Sequence, residues 1–393
     1  MIAQECTLTV AQSQTHQVVQ TAIDGHVTNA RAARALGLSV RQFQRLKAKV
    51  RREGPAGVRH GNSGNPPHNK LPDYRRQKIF ELAKTTYANY NFSHMADALA
   101  EDEGILVSDE TLRRLLRPLG HGGKLRRIKV HRRRRQRRSK EGELLFLDGS
   151  PHHWFGPDHD PVCLLLSTDD ATGKPLYGQF QPQEDRDGCM EVCCRTFLKH
   201  GLPLAYYLDR GSQFITTDHL AAAEGRKIPP TAFQVAMKTL QIDLIFANSP
   251  QARGRGERIN GSFQNRLVAE LVRYKIHDCK RATKYLNQVF IPRYCRRFAR
   301  PPADPTSAWR PVNPALNLPA ILCAKYKRIV SNDNTVSFAG DLYQVLPPVG
   351  RQHLVHAKIE VQHRFDGSVH MIHPRYGQLE IQKIARRKDR LLV

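Results

Sequence analysis

The 393-residue sequence has no apolar run approaching the ~18 residues that a membrane-spanning helix needs. Its longest, around Val162 to Leu166, is far too short, and the opening MIAQECTLTV lacks the basic start and apolar stretch of a secretory leader. The expectation is a protein neither secreted nor membrane-spanning. Cysteine is sparse too: eight residues are spread from Cys6 to Cys323 with no CxxC pair, which argues against a disulfide framework or a zinc site. The nearest cluster, Cys189, Cys193 and Cys194, lies in a helical stretch with no His at ligand spacing and reads as core. A reducing cytoplasm fits this usage. Acid is the third shortage. Against 62 Lys and Arg stand 36 Asp and Glu, a formal net charge of +26 with a pI near 10.1. With 40% hydrophobic residues the chain can bury a core, which excludes a disordered basic tail, and its length suggests two or more domains. A folded polycation attracts nucleic acid through phosphate neutralisation and counterion release, an anionic membrane surface being the competing partner.

The first third is helical. From Thr28 the text TNARAARALGLSVRQFQRLKAKVRREG carries apolar residues at helical spacing, breaks at Gly37 and resumes after Ser39, a good N-cap. Helix, tight turn, helix within residues 1–66 fits a DNA-reading helix-turn-helix. Arg41, Gln42, Gln44 and Arg45 then lie on the outward face of the second helix, where Arg can pair with guanine and Gln with adenine in the major groove. An ordinary helical hairpin with a solvated basic face is the alternative. Beyond a Gly/Pro/Asn-rich loop, residues 70–122 repeat this organisation: Met95, Leu99 and Leu106 are apolar, Gly104 breaks the pattern, and Ser108 with Asp109 caps a helix bearing Thr111, Arg113 and Arg114. This is a second helix-turn-helix or a helical spacer. The basic linker 123–140 includes Arg132, Arg133, Arg134 and Arg135. It cannot pack into a core and suits a cationic strap on phosphate, although a localisation signal or a solvated linker explains the composition equally well.

From Glu143 the pattern turns strand-like. LLFLDGS, PVCLLLSTDDATG and PLYGQFQ form a predicted antiparallel meander, followed by a helix over about Glu184 to His200, strand LAYYLD, a looser helix around Thr231 to Leu240, strand DLIFA and a final helix. The order βββαβαβα across residues 141–300 is that of an RNase H-like α/β fold. Asp148 and Asp209 sit at the ends of apolar strands, where unpaired burial is costly and a cation compensates. Glu257 opens the last helix, on a different face from the apolar stripe Ile259, Phe263, Leu267 and Leu271, together with Asn260, Gly261 and Gln264. Three converging carboxylates suit Mg²⁺ or Mn²⁺, and two such ions about 3.5–4 Å apart can drive in-line attack on a phosphodiester.

FLDGSPHHWF, LSTDDATG, YLDRGSQF and NSPQARGRGERINGSFQNRL, in that order, resemble the integrase-core catalytic domain of bacterial DDE insertion-sequence transposases, closest to the ISNCY-like group. The resemblance extends to the paired helical units in front and the small β domain behind. It implies that Asp148, Asp209 and Glu257 form the catalytic triad and hold two Mg²⁺ or Mn²⁺ ions, Asp148 bridging both. It also implies metal-dependent nicking at the element's terminal inverted repeats, joining of the 3′-hydroxyls to target DNA without a covalent protein intermediate, and a homo-oligomer that holds two DNA ends. RGSQF after Asp209 and the Gly254 to Glu257 turn would help shape the site. Glu257 follows Asp209 by 48 positions, a longer interval than related cores show, with the extra residues expected between Thr216 and Thr231. Should that placement fail, Glu224 or Asp243 becomes the third acid.

The remaining acids and histidines have plainer readings. Asp169 and Asp170 look like turn formers, Asp158 and Asp160 like loop residues. His152 and His153 could touch DNA or a metal-bound water, and Trp154 could stack on a base or anchor the sheet. A Pro-rich, extended linker precedes residues 317–393, whose short alternating runs and turn signals predict a small antiparallel β-barrel with basic edges at Lys358, Arg364 and Arg375, suited to DNA or a second subunit. Two rival functions keep part of this pattern: a DNA-binding regulator with an inactive core, and a structure-specific nuclease that cuts without joining.

Overall fold

The computed structural model describes residues 8–63, 70–122, 136–216, 229–247 and 254–386, without the side chains of residues 254, 255, 257, 385 and 386. The chain divides into two compact units, 1–78 and 79–393.

Three helices build the first unit: α1 (Val10–Ile23), α2 (Asn29–Ala35) and α3 (Val40–Glu53). Hydroxyls start all three, because Thr9, Thr28 and Ser39 accept first-turn amides, and Gln12 and Gln42 close capping boxes with Thr9 and Ser39. Gly37 takes φ +65° between α2 and α3, a conformation a side chain would strain. Small Ala32 and Ala33 let α2 approach Phe43 and Val50 of α3, and Val19 and Ala22 of α1 close this core.

Helix α4 (Asp73–Lys84) spans the boundary at residue 78, and α5 (Phe92–Glu103) and α6 (Asp109–Leu116) follow in the second unit. Gly104 ends α5 in the left-handed region and Ser108 caps α6. Met95 and Leu99 are fully buried, whereas Leu106 is 81% exposed and adds nothing to the expected apolar face. The central sheet has the order β3-β2-β1-β4-β5. β1 (Leu144–His152), β2 (Val162–Asp169) and β3 (Pro175–Gln181) form the antiparallel meander, while β4 (Ala205–Leu208) runs parallel to β1, and β5 (Asp243–Phe246) parallel to β4. Parallel neighbours need crossover helices. α7 (Arg186–His200) supplies the first and α8 (Ala232–Thr239) the second.

Side-chain alternation along the strands splits the core in two. Leu145, Leu147, Cys163 and Leu165 face α7 and α8, meeting Cys189, Cys193, Phe197, Phe233 and Met237. Leu164 and Leu166 face the other way, toward Phe263, Leu267 and Leu271 of α9 (Gly254–Arg273) and toward α10 (Cys279–Tyr285) and α11 (Ile291–Phe298). The apolar stripe read in the last helix is therefore the one that seats it on the sheet.

Helix α5 docks on the outer side of α9 and α11 through charge. Arg266 binds Asp97 at 2.8 Å, Arg273 binds Asp102 at 2.9 Å and Arg293 binds Glu101 at 2.7 Å, while buried His94 meets Glu270 at 2.8 Å. The three arginine pairs are partly buried and His94–Glu270 is fully buried, so water screens them less than it does exposed surface pairs.

The Pro-rich segment after α11 is extended but bound to the core: Ala308 N–H donates to Glu141 O at 2.9 Å, and Leu202 and Arg310 exchange backbone hydrogen bonds. The Arg310 guanidinium also donates to the carbonyls of Pro203, Leu240 and Gln241. Past α12 (Leu318–Ile321) come β6 (Ala324–Ile329), β7 (Thr335–Phe338), β8 (Asp341–Val345), β9 (Lys358–His363), β10 (Val369–His373), β11 (Gly377–Leu379) and β12 (Ile381–Arg386). They do not close into the expected barrel. β6 pairs with β9 instead of its sequence neighbour β7, which leaves two open sheets, β11-β10-β9-β6 and β12-β8-β7, over one apolar cluster containing Val336, Val345, Val361 and Met371.

Candidate active site

Two of the sequence-identified acids lie on neighbouring parallel chain segments: Asp148 within β1, which runs on to His152 instead of ending at the acid, and Asp209 directly after β4. β1 and β4 lie in parallel register, with Leu144 beside Ala205, Leu145 beside Tyr206 and Phe146 beside Tyr207. The pairing ends there, and Asp148 lies two residues beyond Phe146 while Asp209 lies two residues beyond Tyr207. Both are half-buried. Asp148 stands opposite Leu166 of β2, so it faces the side that α9 covers.

The N-terminal turn of α9 comes directly onto Asp148. Asn260 donates its side-chain amide to Asp148 Oδ2 at 2.8 Å, and a Cβ placed on Gly256 would lie 3.3 Å from the same oxygen. One turn further on, Gln264 donates to Ser150 Oγ at 3.2 Å. Gly256, Asn260 and Gln264 thus line β1 at i, i+4 spacing. Glu257 belongs to this first turn, one residue after Gly256, and its side chain lies outside the described atoms. Among the described residues no group of three or more His, Cys, Asp or Glu is assembled for a metal. Of the alternatives for a third acid, Glu224 lies outside the described residues, and Asp243 opens β5 beside Ala205, at the far end of β4 from Asp209.

A further acid escaped the sequence reading, which takes Glu184 as an ordinary first-turn residue of α7. It sits instead in the turn before that helix, half-buried, accepting from Gln213 Nε2 at 2.6 Å and pressed so closely to Gly149 that a Cβ there would overlap its carboxylate. Burial first, and then the charge of Asp209, push its carboxyl above the usual range. Gln213 belongs to the loop after Asp209, whose Oδ1 accepts Gly211 N–H at 3.0 Å.

Neighbouring residues take the plainer roles. Asp169 is fully buried and organises its turn, accepting from Gly142 N–H at 3.0 Å and from Thr172 N–H at 2.8 Å. Trp154 is fully buried with its indole N–H on Ser150 O at 2.9 Å, an anchor of the sheet. His153 bonds the carbonyl of His159. On the helical elements, Arg41, Gln42, Gln44 and Arg45 are all exposed on α3, with Gln42 Oε1 engaged by Ser39 N–H at 2.9 Å in the capping box. Arg114 is exposed, while Arg113 pairs with Glu110 and Asp109 of its own helix. Arg132, Arg133, Arg134 and Arg135 lie outside the described residues.

The winged helix-turn-helix family model matches residues 16–77, the stretch containing α2 and α3. The chain is 35% identical over 324 residues to y4bF of Sinorhizobium fredii, a protein assigned as a transposase, covering 82% of this chain and 70% of that one. It is 32% identical over 314 residues to the transposase for insertion sequence IS1202 of Streptococcus pneumoniae, covering 70% of this chain and 66% of that one. Among solved structures, the magnesium-bound catalytic core domain of HTLV-2 integrase overlaps 39% of this chain and 91% of its own at 18% identity and a TM-score of 0.29. The simian T-cell lymphotropic virus intasome with the PP2A regulatory subunit B56 gamma overlaps 78% of this chain and 99% of its own at 11% identity and a TM-score of 0.34. With a helix-turn-helix in front, an α/β core behind it, and identity at this level to both curated relatives over most of its length, the chain belongs to the transposases of bacterial insertion sequences.

Proposed function

We propose that the chain is a DDE transposase whose helix-turn-helix binds the terminal inverted repeats of its insertion sequence and whose RNase H-like core nicks those ends and joins the 3′-hydroxyls to target DNA. The observation that supports this reading is the position of Asp148 and Asp209, each two residues beyond the last pair of adjacent parallel strands, with the first turn of α9, the turn that contains Glu257, against Asp148.

The donor set fits a hard divalent cation because it consists of carboxylates, two of which accept hydrogen bonds from amides. Asp148, Asp209 and Glu257 would hold two Mg²⁺ or Mn²⁺ ions, which when bound activate a water or 3′-hydroxyl and stabilise the leaving oxygen. The chain's own contribution is rigidity. Asn260 fixes the orientation of the Asp148 carboxylate, the Gly211 amide fixes that of Asp209, and the buried stripe of α9 sets the approach of Glu257's helix turn. Arg41, Gln44 and Arg45 offer an exposed face for the major groove, and the strap containing Arg132 to Arg135 adds affinity without sequence reading. A homo-oligomer on DNA follows from the need to hold two ends together, and DNA places the protein in the bacterial cytoplasm.

The test is incubation of the purified chain with Mg²⁺ and DNA carrying the flanking repeats. Nicks at the repeat ends, abolished by a chelator and restored by added Mg²⁺, are expected. Tight binding with no nick under any divalent cation would leave a DNA-binding regulator.

A further inference from the structure

We propose that Glu184 is a positioning residue that locks the Asp148 strand to the Asp209 loop. This rests on the transposase reading for its consequence in catalysis, though not for the lock itself.

The turn that carries Glu184 is held from both sides. Gln181 Nε2 donates to Gln183 O at 2.6 Å and to Asp185 Oδ1 at 3.3 Å, and Asp185 Oδ1 in turn accepts Gly188 N–H at 2.7 Å to cap α7. Gly188 is part of this seat, since a Cβ there would overlap the Gln181 amide. These bonds fix the backbone on either side of Glu184. Glu184 reaches across the sheet end. Its Oε2 packs on the Cα of Gly149, immediately after Asp148, and its Oε1 accepts from Gln213, four residues after Asp209.

The two acids sit on separate chain segments, and beyond Phe146 and Tyr207 the β1–β4 pairing ends. Past that point Glu184 ties Gly149 to the 211–213 turn, beside the buried Phe214 that anchors the same loop. The approach is made at a strand position that has no side chain of its own. A hydrogen bond from a neutral amide and close backbone packing hold the Glu184 carboxylate near Asp209 despite the repulsion.

The test uses the full chain with Glu184→Ala, Glu184→Gln, Gln213→Ala and the Glu184→Ala/Gln213→Ala double variant. Hydrogen exchange over residues 209–216 reads the lock directly, and Mg²⁺-dependent nicking of repeat-carrying DNA reads its consequence. Exchange in this segment is expected to rise in Glu184→Ala and Gln213→Ala alike, with no further rise in the double variant. Nicking should fall about 10–100-fold in each single variant, with DNA affinity unchanged, and Glu184→Gln, which keeps the acceptor oxygen, should restore most of the rate. Unaltered exchange at 209–216 in Glu184→Ala overturns the proposal whatever the enzyme does to DNA. So does a Glu184→Gln variant as slow as Glu184→Ala, since charge and not placement would then be the contribution. Raised exchange in a protein whose wild type makes no nick would keep the lock and remove the transposase reading.

Discussion

Asn260 of α9 donates its side-chain amide to Oδ2 of Asp148 on β1 at 2.8 Å, joining the helix that carries Glu257 to the strand that carries the first acid. The contact is only 8% exposed at Asn260, so it orients the carboxylate with little competition from water. Asn260→Ala is expected to slow nicking about 10–100-fold while DNA affinity stays the same. Its stability should fall by about 0.5–1.5 kcal/mol, the net contribution of one hydrogen bond. Initial rates and melts on the same preparation check both.

Acid should loosen α5 from the core. His94 is 2% exposed, and burial, helped by Arg266 and Arg293, pushes its imidazole below the ordinary value of 6.5 despite the pull of Glu270. We take His94 as neutral, its Nε2–H donating to Glu270, whose carboxyl is held low against its own burial by His94, by Tyr285 at 2.5 Å and by Arg293. The folded protein then resists a proton that the unfolded chain accepts. The His94 contribution is fully present above about pH 6.5 and is lost as pH falls below it, and the Glu270 contribution is lost only below the ordinary carboxylate value of 4.5. Thermal melts between pH 7.5 and 5.5 should show a falling midpoint for wild type and a flatter profile for His94→Gln, which keeps a donor but does not titrate.

The reading helix has a testable division of labour. Ser39→Ala removes a cap and should destabilise the first unit by about 1 kcal/mol. Arg41→Ala and Arg45→Ala, at exposed positions, should leave the melt unchanged. Each should weaken binding to the element ends, and the plot of log affinity against log salt separates their roles. A phosphate contact reduces the slope by about 1, whereas a guanine contact costs about 1–3 kcal/mol with relaxed sequence preference.

The thiols of the core should be inert. Cys163 and Cys193 are pushed up to about 12 and Cys194 to about 11, in each case chiefly by burial. Thiolate is the reactive form. Alkylation of the native protein followed by mass spectrometry should leave these three unmodified, and denaturant should expose them together.

Much of this arrangement is legible in the sequence because it rests on local signals. Ser39 and Ser108 cap where expected, Gly37 and Gly104 turn where expected, and Asp209 directly follows its strand as expected, whereas β1 continues past Asp148 to His152. The two-sided pattern of α9 sorted correctly into Phe263, Leu267 and Leu271 against the sheet core and Asn260 and Gln264 along β1. What stayed hidden depends on distant partners. Glu184 looks like any acid at a helix start until Gly149 and Gln213 are brought to it. Asp97, Glu101 and Asp102 look like a solvated helix face, yet Arg266, Arg293 and Arg273 cover them. The alternating runs at β7, β8, β9 and β10 are legible, but β6, β11 and β12 are not, and the β6–β9 pairing that divides the strands into two sheets spans residues far apart in sequence. Helix α1 has few large apolar residues, and only Val19 and Ala22 of it are buried.

The central claim, that Asp148, Asp209 and Glu257 act as one catalytic set, is tested most directly by a strand-transfer assay with DNA carrying the flanking repeats, Mg²⁺ and a target plasmid. Wild type is compared with Asp148→Asn, Asp209→Asn and Glu257→Gln. Joined products from wild type alone, with repeat binding and melting midpoints unchanged in all three variants, are the expected result. Joined products surviving Glu257→Gln would contradict it and return the third position to Glu224.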